Sequence, residues 1–245
     1  MNMGEALLWG GIAGAANLLG AIIVLLVSLP QRLIAYIMAL GTGALIGAVA
    51  YELLGEAMEI SGLTQIALGF LGGAAIFTVF DILINKQGAR HRKRSGHSDE
   101  KPEGSSSGVA IFVGTIMDAI PETAMIGLAL ASGNGVSVAL IAAIFISNLP
   151  EGISSTSGLK KSGFSTTRVL SMWGFVLVAS ALSSLAGYSL LDLMTEDAQA
   201  ILSSFAAGAI IAMICSTMMP EAYEKAGPIV GFITACGIFI TLLLQ

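Results

Sequence analysis

The segment GALIGAVAYELLGEAMEISG at residues 43–62 recurs without a gap as GAIIAMICSTMMPEAYEKAG at residues 208–227. Seven of the twenty positions are identical: Gly43/Gly208, Ala44/Ala209, Ile46/Ile211, Glu56/Glu221, Ala57/Ala222, Glu59/Glu224 and Gly62/Gly227. Each copy begins apolar and ends acidic. About 20 mostly apolar residues suffice to cross a bilayer as a helix, so each copy reads as one membrane span with a charged end.

The rest of the chain repeats that reading. Of 245 residues, 55% are hydrophobic and 11% charged, with a mean hydropathy of +0.86. A soluble domain carries about 25% charged residues, which excludes an ordinary soluble globule and a disordered chain. Stretches free of Asp, Glu, Lys and Arg cover 6–31, 33–51, 60–80, 123–150, 169–191, 198–220 and 226–245. The pattern predicts an all-α polytopic membrane protein with eight transmembrane helices, near 6–28, 33–56, 64–85, 108–131, 135–157, 168–190, 199–221 and 227–244. The first three occupy 1–85, a flexible polar loop 86–107, the fourth and fifth 108–158, and the last three 159–245.

Under this count every Lys and Arg falls in linkers 1–2, 3–4, 5–6 and 7–8. Cytoplasmic loops carry the excess of basic residues, so both termini are expected outside. Asp192, Glu196, Asp197 and Glu59 fall on the outer side. Helix two then runs outward and helix seven inward, which makes the 43–62/208–227 repeat an inverted one. DAIPE at 118–122 and SNLPE at 147–151 form a second, shorter pair on oppositely directed helices. The expected arrangement is therefore three helices, two, and three. Inverted repeats of this kind characterise transporters, whose sites lie near the midplane.

Other function classes find little support. The net charge is −5, and the one basic cluster is the 86–107 loop, so no nucleic-acid partner is expected. That cluster suits anionic lipid headgroups, and its His91 and His97 are isolated among basic residues. Cys215 and Cys236 lie in apolar runs and read as small core residues, with no CxxC pattern. The first apolar run has no basic segment before it and is longer than a signal-peptide core, so it reads as a retained helix.

The chemistry concentrates in the central pair. Asp118, Glu122 and Glu151 stand near the middle of their spans, where an ionisable group is costly unless it is paired, hydrated or metal-bound. Asp118 and Glu122 are four apart and share a helix face, as do Ser147 and Glu151. No Lys or Arg lies in either span, so protons or a cation must balance the carboxylates. Pro121 and Pro150 lack an N–H and free the carbonyls of Met117 and Ile146. Broken membrane helices of that kind line cavities. Asn148 adds a further oxygen, and Gly152, Ser154, Ser155, Thr156 and Ser157 are expected to continue a polar face inward. Glu52 and Glu56, near the outer interface, are candidates for an entry or for hydrated surface, and Glu221 and Glu224 are the repeat-related exit candidates. Asp81 is expected at the interface, and Met117 and Met125 flank the site.

At these residues the chain resembles the ZIP family of divalent metal transporters, whose fourth and fifth helices carry His-Asn-x-Pro-Glu-Gly motifs. SNLPEG at 147–152 matches the second motif except at its histidine, and DAIPET at 118–123 keeps Pro-Glu of the first. LLGEA at 53–57 and MMPEA at 218–222 resemble the acidic ends of the family's second and seventh helices. The resemblance implies a primary metal site of Asp118, Glu122, Ser147 and Glu151. It assigns Asn148 to an adjacent second site, whose helix-four position is Ala119 here. The family often places a further Glu in its sixth helix, and 169–191 holds no acidic residue. It also implies an elevator-like slide of helices one, four, five and six against two, three, seven and eight.

The expected substrate is a divalent ion, zinc, iron or manganese, with no resident cofactor and no enzymatic activity. Loss of both motif histidines shifts the donor set toward hard oxygen ligands, which suit manganese or magnesium better than zinc. A cation channel and a transport-inactive sensor or scaffold are the alternatives. The expected setting is a plasma membrane, as the inner membrane of a prokaryote, with the lipid bilayer as partner and a homodimer allowed.

Overall fold

A computed structural model describes residues 2–86, 105–132, 137–191 and 194–244. These residues form helices, with no strand among them. We number the helices α1 (Met3–Leu26), α2 (Gln31–Ile60), α3 (Leu63–Lys86), α4 (Ser105–Ala131), α5 (Val138–Lys161), α6 (Thr166–Leu191), α7 (Glu196–Ala226) and α8 (Ile229–Leu244). The first seven are long and apolar enough to cross a membrane, as in a multi-pass membrane protein. The last has 16 residues, roughly 24 Å at 1.5 Å per residue, which is shorter than the ~30 Å hydrocarbon core. The expected eighth span is therefore a shorter apolar helix. The loop expected at 86–107, with His91 and His97, lies outside the described residues over 87–104, as does Asp192.

Local signals set the helix ends. Asn2 caps α1 by accepting the Glu5 amide at 3.0 Å, and Ser137 caps α5 by accepting that of Leu140 at 3.1 Å. Such caps satisfy amides that have no partner within the helix. Glu196 and Asp197 sit in the first turn of α7, and Lys160 and Lys161 in the last turn of α5, each with the sign that the helix dipole favours. α7 runs past Pro220 and stops at Gly227, whose φ of 71° suits a residue without a Cβ.

Two departures from regular helix stand out. A π-helical segment spans Val49–Gly55 in α2, and another spans Ile214–Met218 in α7. Pro121 and Pro150, by contrast, lie inside uninterrupted α-helices. The expected breaks at the prolines are absent. One lost backbone hydrogen bond is tolerated where neighbouring helices support the segment.

Four helix pairs touch backbone to backbone through reciprocal glycines. A Cβ on Gly20 of α1 would lie 2.3 Å from the Leu149 carbonyl oxygen, and one on Gly152 of α5 2.2 Å from that of Asn17. Gly43 and Gly237 do the same for α2 and α8, Gly73 and Gly208 for α3 and α7, and Gly127 and Gly187 for α4 and α6. Small residues are what membrane helices place at such crossings. Each pair runs parallel. Ala39 and Ala44 of α2, for instance, accept the Thr234 and Thr241 hydroxyls of α8, both at 3.2 Å. By contrast α1 and α6 are antiparallel, Gly10 meeting Ser184 and Gly14 meeting Ser180.

α1, α4, α5 and α6 pack as one group, flanked by the α2/α8 and α3/α7 pairs. α5 is its hub: 72% of its most apolar window is buried, against 22% for α3. Trp173 of α6 is buried and donates to the Thr156 hydroxyl of α5 at 2.8 Å. α3 and α8 turn Leu68, Leu71, Phe232 and Phe239 outward, as lipid-facing helices do.

Candidate functional site

The five residues singled out in the central pair are all buried. Asp118, Glu122, Ser147 and Asn148 are 0% exposed and Glu151 is 1% exposed. The six-residue connection between α4 and α5 makes them antiparallel neighbours. The Thr115 hydroxyl donates to that of Ser155 at 3.2 Å. Each step outward from Thr115 on α4 is thus matched by a step back from Ser155 on α5. That register sets Asp118 at the level of Glu151 and Gly152, and Glu122 at the level of Ser147 and Asn148.

Shared levels do not make a coordination shell. Among the described residues, no three His, Cys, Asp or Glu side chains are gathered closely enough to hold a metal ion. In this conformation Asp118 and Glu151 stand at one buried level and Glu122 one helical turn from it. Ser147 donates its hydroxyl to the Ile144 carbonyl at 2.9 Å, which leaves its lone pairs available as acceptors. Asn148 donates Nδ2 to the Ala13 carbonyl of α1 at 3.2 Å.

α2 closes the layer from the other side. A Cβ on Gly41 would lie 2.7 Å from the Ser147 nitrogen and 2.9 Å from the Ile146 carbonyl carbon. Gly41 thus backs onto the peptide whose carbonyl lost its helical partner to Pro150.

The acidic helix ends hold the central pair. Glu56 of α2 accepts from the Ser132 hydroxyl just beyond α4 at 3.1 Å. Glu221 of α7 is buried and accepts from Ser154 of α5 and from Lys225. Glu52 is buried, whereas Glu59 and Glu224 are exposed. Asp81, expected at the interface, is 8% exposed. Met125 is buried and Met117 half-buried.

Two expectations need correction. Ser154, Ser155 and Thr156 do not share a face: they bond to α7, α4 and α6 respectively. At 3.6 residues per turn, consecutive residues point about 100° apart, so the run ties α5 to three neighbours. Cys215, read as a core residue, is exposed, and Cys236 is half-buried; both are free thiols. A small apolar residue is as well placed against lipid tails as in a membrane interior.

Sequence reasoning passed over several buried polar groups, Thr42 and Asn17 among them. Thr42 and Asn17 are 0% exposed. The Thr42 hydroxyl and both polar atoms of the Asn17 amide find no hydrogen-bond partner among the described residues. The available signal was Asn17 itself, the one amide inside the charge-free run 6–31 apart from the terminal Gln31. A crevice of about 330 Å³ between α3, α4, α6 and α7 is lined almost wholly by apolar atoms, including those of Met117, Pro121 and Phe205. It offers nothing that would hold an ion.

No protein-family profile matches the chain, and no curated protein matches it significantly.

Proposed function

We propose that the chain is a ZIP-like transporter that moves a divalent cation (zinc, iron or manganese) across a plasma membrane through the layer of Asp118, Glu122, Ser147, Asn148 and Glu151. The observation that carries this reading is the full burial of three carboxylic side chains on two adjacent proline-containing helices. Ionisable groups at membrane depth mark ion pathways, and the Lys and Arg residues among those described fall at helix ends in the sequence. The reading has eight spans with both termini outside, α8 completing the set, and a 3+2+3 arrangement with inverted symmetry. Two features support the symmetry. The π-helical segments begin at Val49 and Ile214, which are equivalent positions of the repeat. The α2/α8 crossing at Gly43 also has its counterpart in the α3/α7 crossing at Gly208.

In this cycle the central group carries the ion while the α2/α8 and α3/α7 pairs stand still. Loading draws the carboxylates of α4 and α5 inward around the cation and replaces its hydration shell. Carboxylate, hydroxyl and amide oxygens form a hard donor set. Uptake should fall as the medium is acidified, because a protonated carboxylate ligates poorly.

The deciding experiment is metal uptake into proteoliposomes by the wild-type chain and by Glu151→Gln, which keeps the shape and removes the charge. Uptake lost in a folded variant is the expected result. Unchanged uptake would remove Glu151 from the pathway. A second reading, a transport-inactive scaffold or sensor, is favoured by the absence of a gathered three-ligand group among the described residues. It requires that the wild type itself take up no divalent ion.

A further inference from the structure

Asn17 is a buried polar group that the carboxylate layer leaves unused. The buried face of α1 is otherwise built from Ala6, Gly10, Ala13, Gly14, Ala16, Gly20 and Ala21. Asn17 is the single polar side chain among them, it is 0% exposed, and neither its Oδ1 nor its Nδ2 has a hydrogen-bond partner among the described residues. Burying an amide with no hydrogen bond is costly, and native structures rarely leave such a group without a partner.

Its position is specific. α1 meets α5 most closely here, with the Asn17 carbonyl oxygen against Gly152 and Gly20 against the Leu149 carbonyl. One turn earlier on α1, the Ala13 carbonyl accepts Nδ2 of Asn148. That bond fixes which end of the Asn148 amide is committed. Its Oδ1 is left buried and without a partner among the described residues. Because α1 and α5 run parallel, Ala13 with Asn148 and Asn17 with Gly152 form successive levels. Glu151 belongs to the turn between them. The Asn17 backbone and the Asn148 amide therefore stand within one turn of Glu151 along α5, and both side-chain amides have uncommitted oxygens.

We propose that Asn17 is a cation-binding residue: its Oδ1, with that of Asn148, joins Glu151 around the ion, so that α1 contributes to the site. The proposal rests on the transport reading and deepens it. Amide oxygens are neutral hard donors, which suit manganese or magnesium better than zinc. Asn17 would thus set which divalent ion is preferred. The glycines at 20 and 152 bring the α1 backbone close enough for so short a side chain to serve.

The test uses the purified full-length chain and follows its thermal unfolding midpoint during separate Mn²⁺ and Zn²⁺ titrations. Asn17→Leu keeps the γ-branched outline of the side chain and removes both polar atoms. The expected result is an ion-free midpoint at or above that of the wild type, with Mn²⁺ affinity weakened about tenfold or more and Zn²⁺ affinity changed less. Asn17→Asp retains the oxygen, adds charge, and should tighten Mn²⁺ binding. If both variants titrate with the wild-type Mn²⁺/Zn²⁺ ratio, Asn17 only packs and the proposal fails while the transport reading stands. A wild type that responds to neither ion would bring down both.

Discussion

Replacing Gly152 by Ala puts the α1/α5 contact to a direct test. The added Cβ would lie 2.2 Å from the Asn17 carbonyl oxygen and 2.8 Å from its Cα. An ordinary contact between these atoms exceeds 3 Å, and the obstacle is helix backbone, so no rotamer change relieves it. The helices must part by roughly 1 Å, at a cost of about 1–3 kcal/mol for overpacking. Widening this crossing also stretches the 3.2 Å bond from Asn148 to Ala13. Gly174 on α6 is the control, since nothing lies within 4 Å of a Cβ built there. Gly174→Ala should be neutral or stabilising by about 0.5–1 kcal/mol, because alanine is the better helix former. Reversible unfolding of both variants in mixed micelles, with metal uptake measured in parallel, gives the comparison. Equal stability of the Gly152 and Gly174 variants would refute the claim that α1 and α5 meet backbone to backbone at this level.

Further predictions concern other contacts. Glu221→Gln leaves the Lys225 ammonium, whose side chain is 6% exposed, without its carboxylate, and should cost about 3 kcal/mol in the same unfolding assay. Trp173→Phe removes the indole donor to Thr156 and should cost about 1–2 kcal/mol, read from the unfolding midpoint. Cysteines placed at Ser61 and at Arg168, in a chain with Cys215 and Cys236 replaced by serine, should react with an impermeant maleimide from opposite sides of sealed vesicles. Labelling of both from one side would overturn the proposed topology.

The helices were legible in the sequence because a membrane span is a coarse signal. Twenty apolar residues between charges announce themselves regardless of packing. Element ends were harder to read. α7 extends to Ala226, since Pro220 and the acidic and basic residues after it are all compatible with helix at a membrane surface. The π-helical segments had no local signature in VAYELLG or ICSTM; they became intelligible only as a pair, at equivalent positions of the repeat. In the site, the burial of Asp118, Glu122 and Glu151 follows from their central place in their spans. How far apart three carboxylates sit within one layer depends on side-chain geometry that spacing does not encode. Asn17 was passed over because its importance comes from its neighbour. Only the crossing of Gly20 and Gly152 shows that the α1 backbone at this residue lies against the helix bearing Glu151.

The two glutamate clasps grip unequally. Glu56 holds Ser132, ten residues beyond Glu122, whereas Glu221 holds Ser154, only three beyond Glu151. At 1.5 Å per residue these reaches are roughly 15 Å and 5 Å. If the repeat sets both glutamates equally far from the midplane, the carboxylate layer sits off-centre by half the difference, about 5 Å, toward the Glu221 end. Under the proposed inverted symmetry, neither offset is preferred over its mirror. That proposal then implies an opposite posture, with the long reach on the Glu221 side and the short one on the Glu56 side.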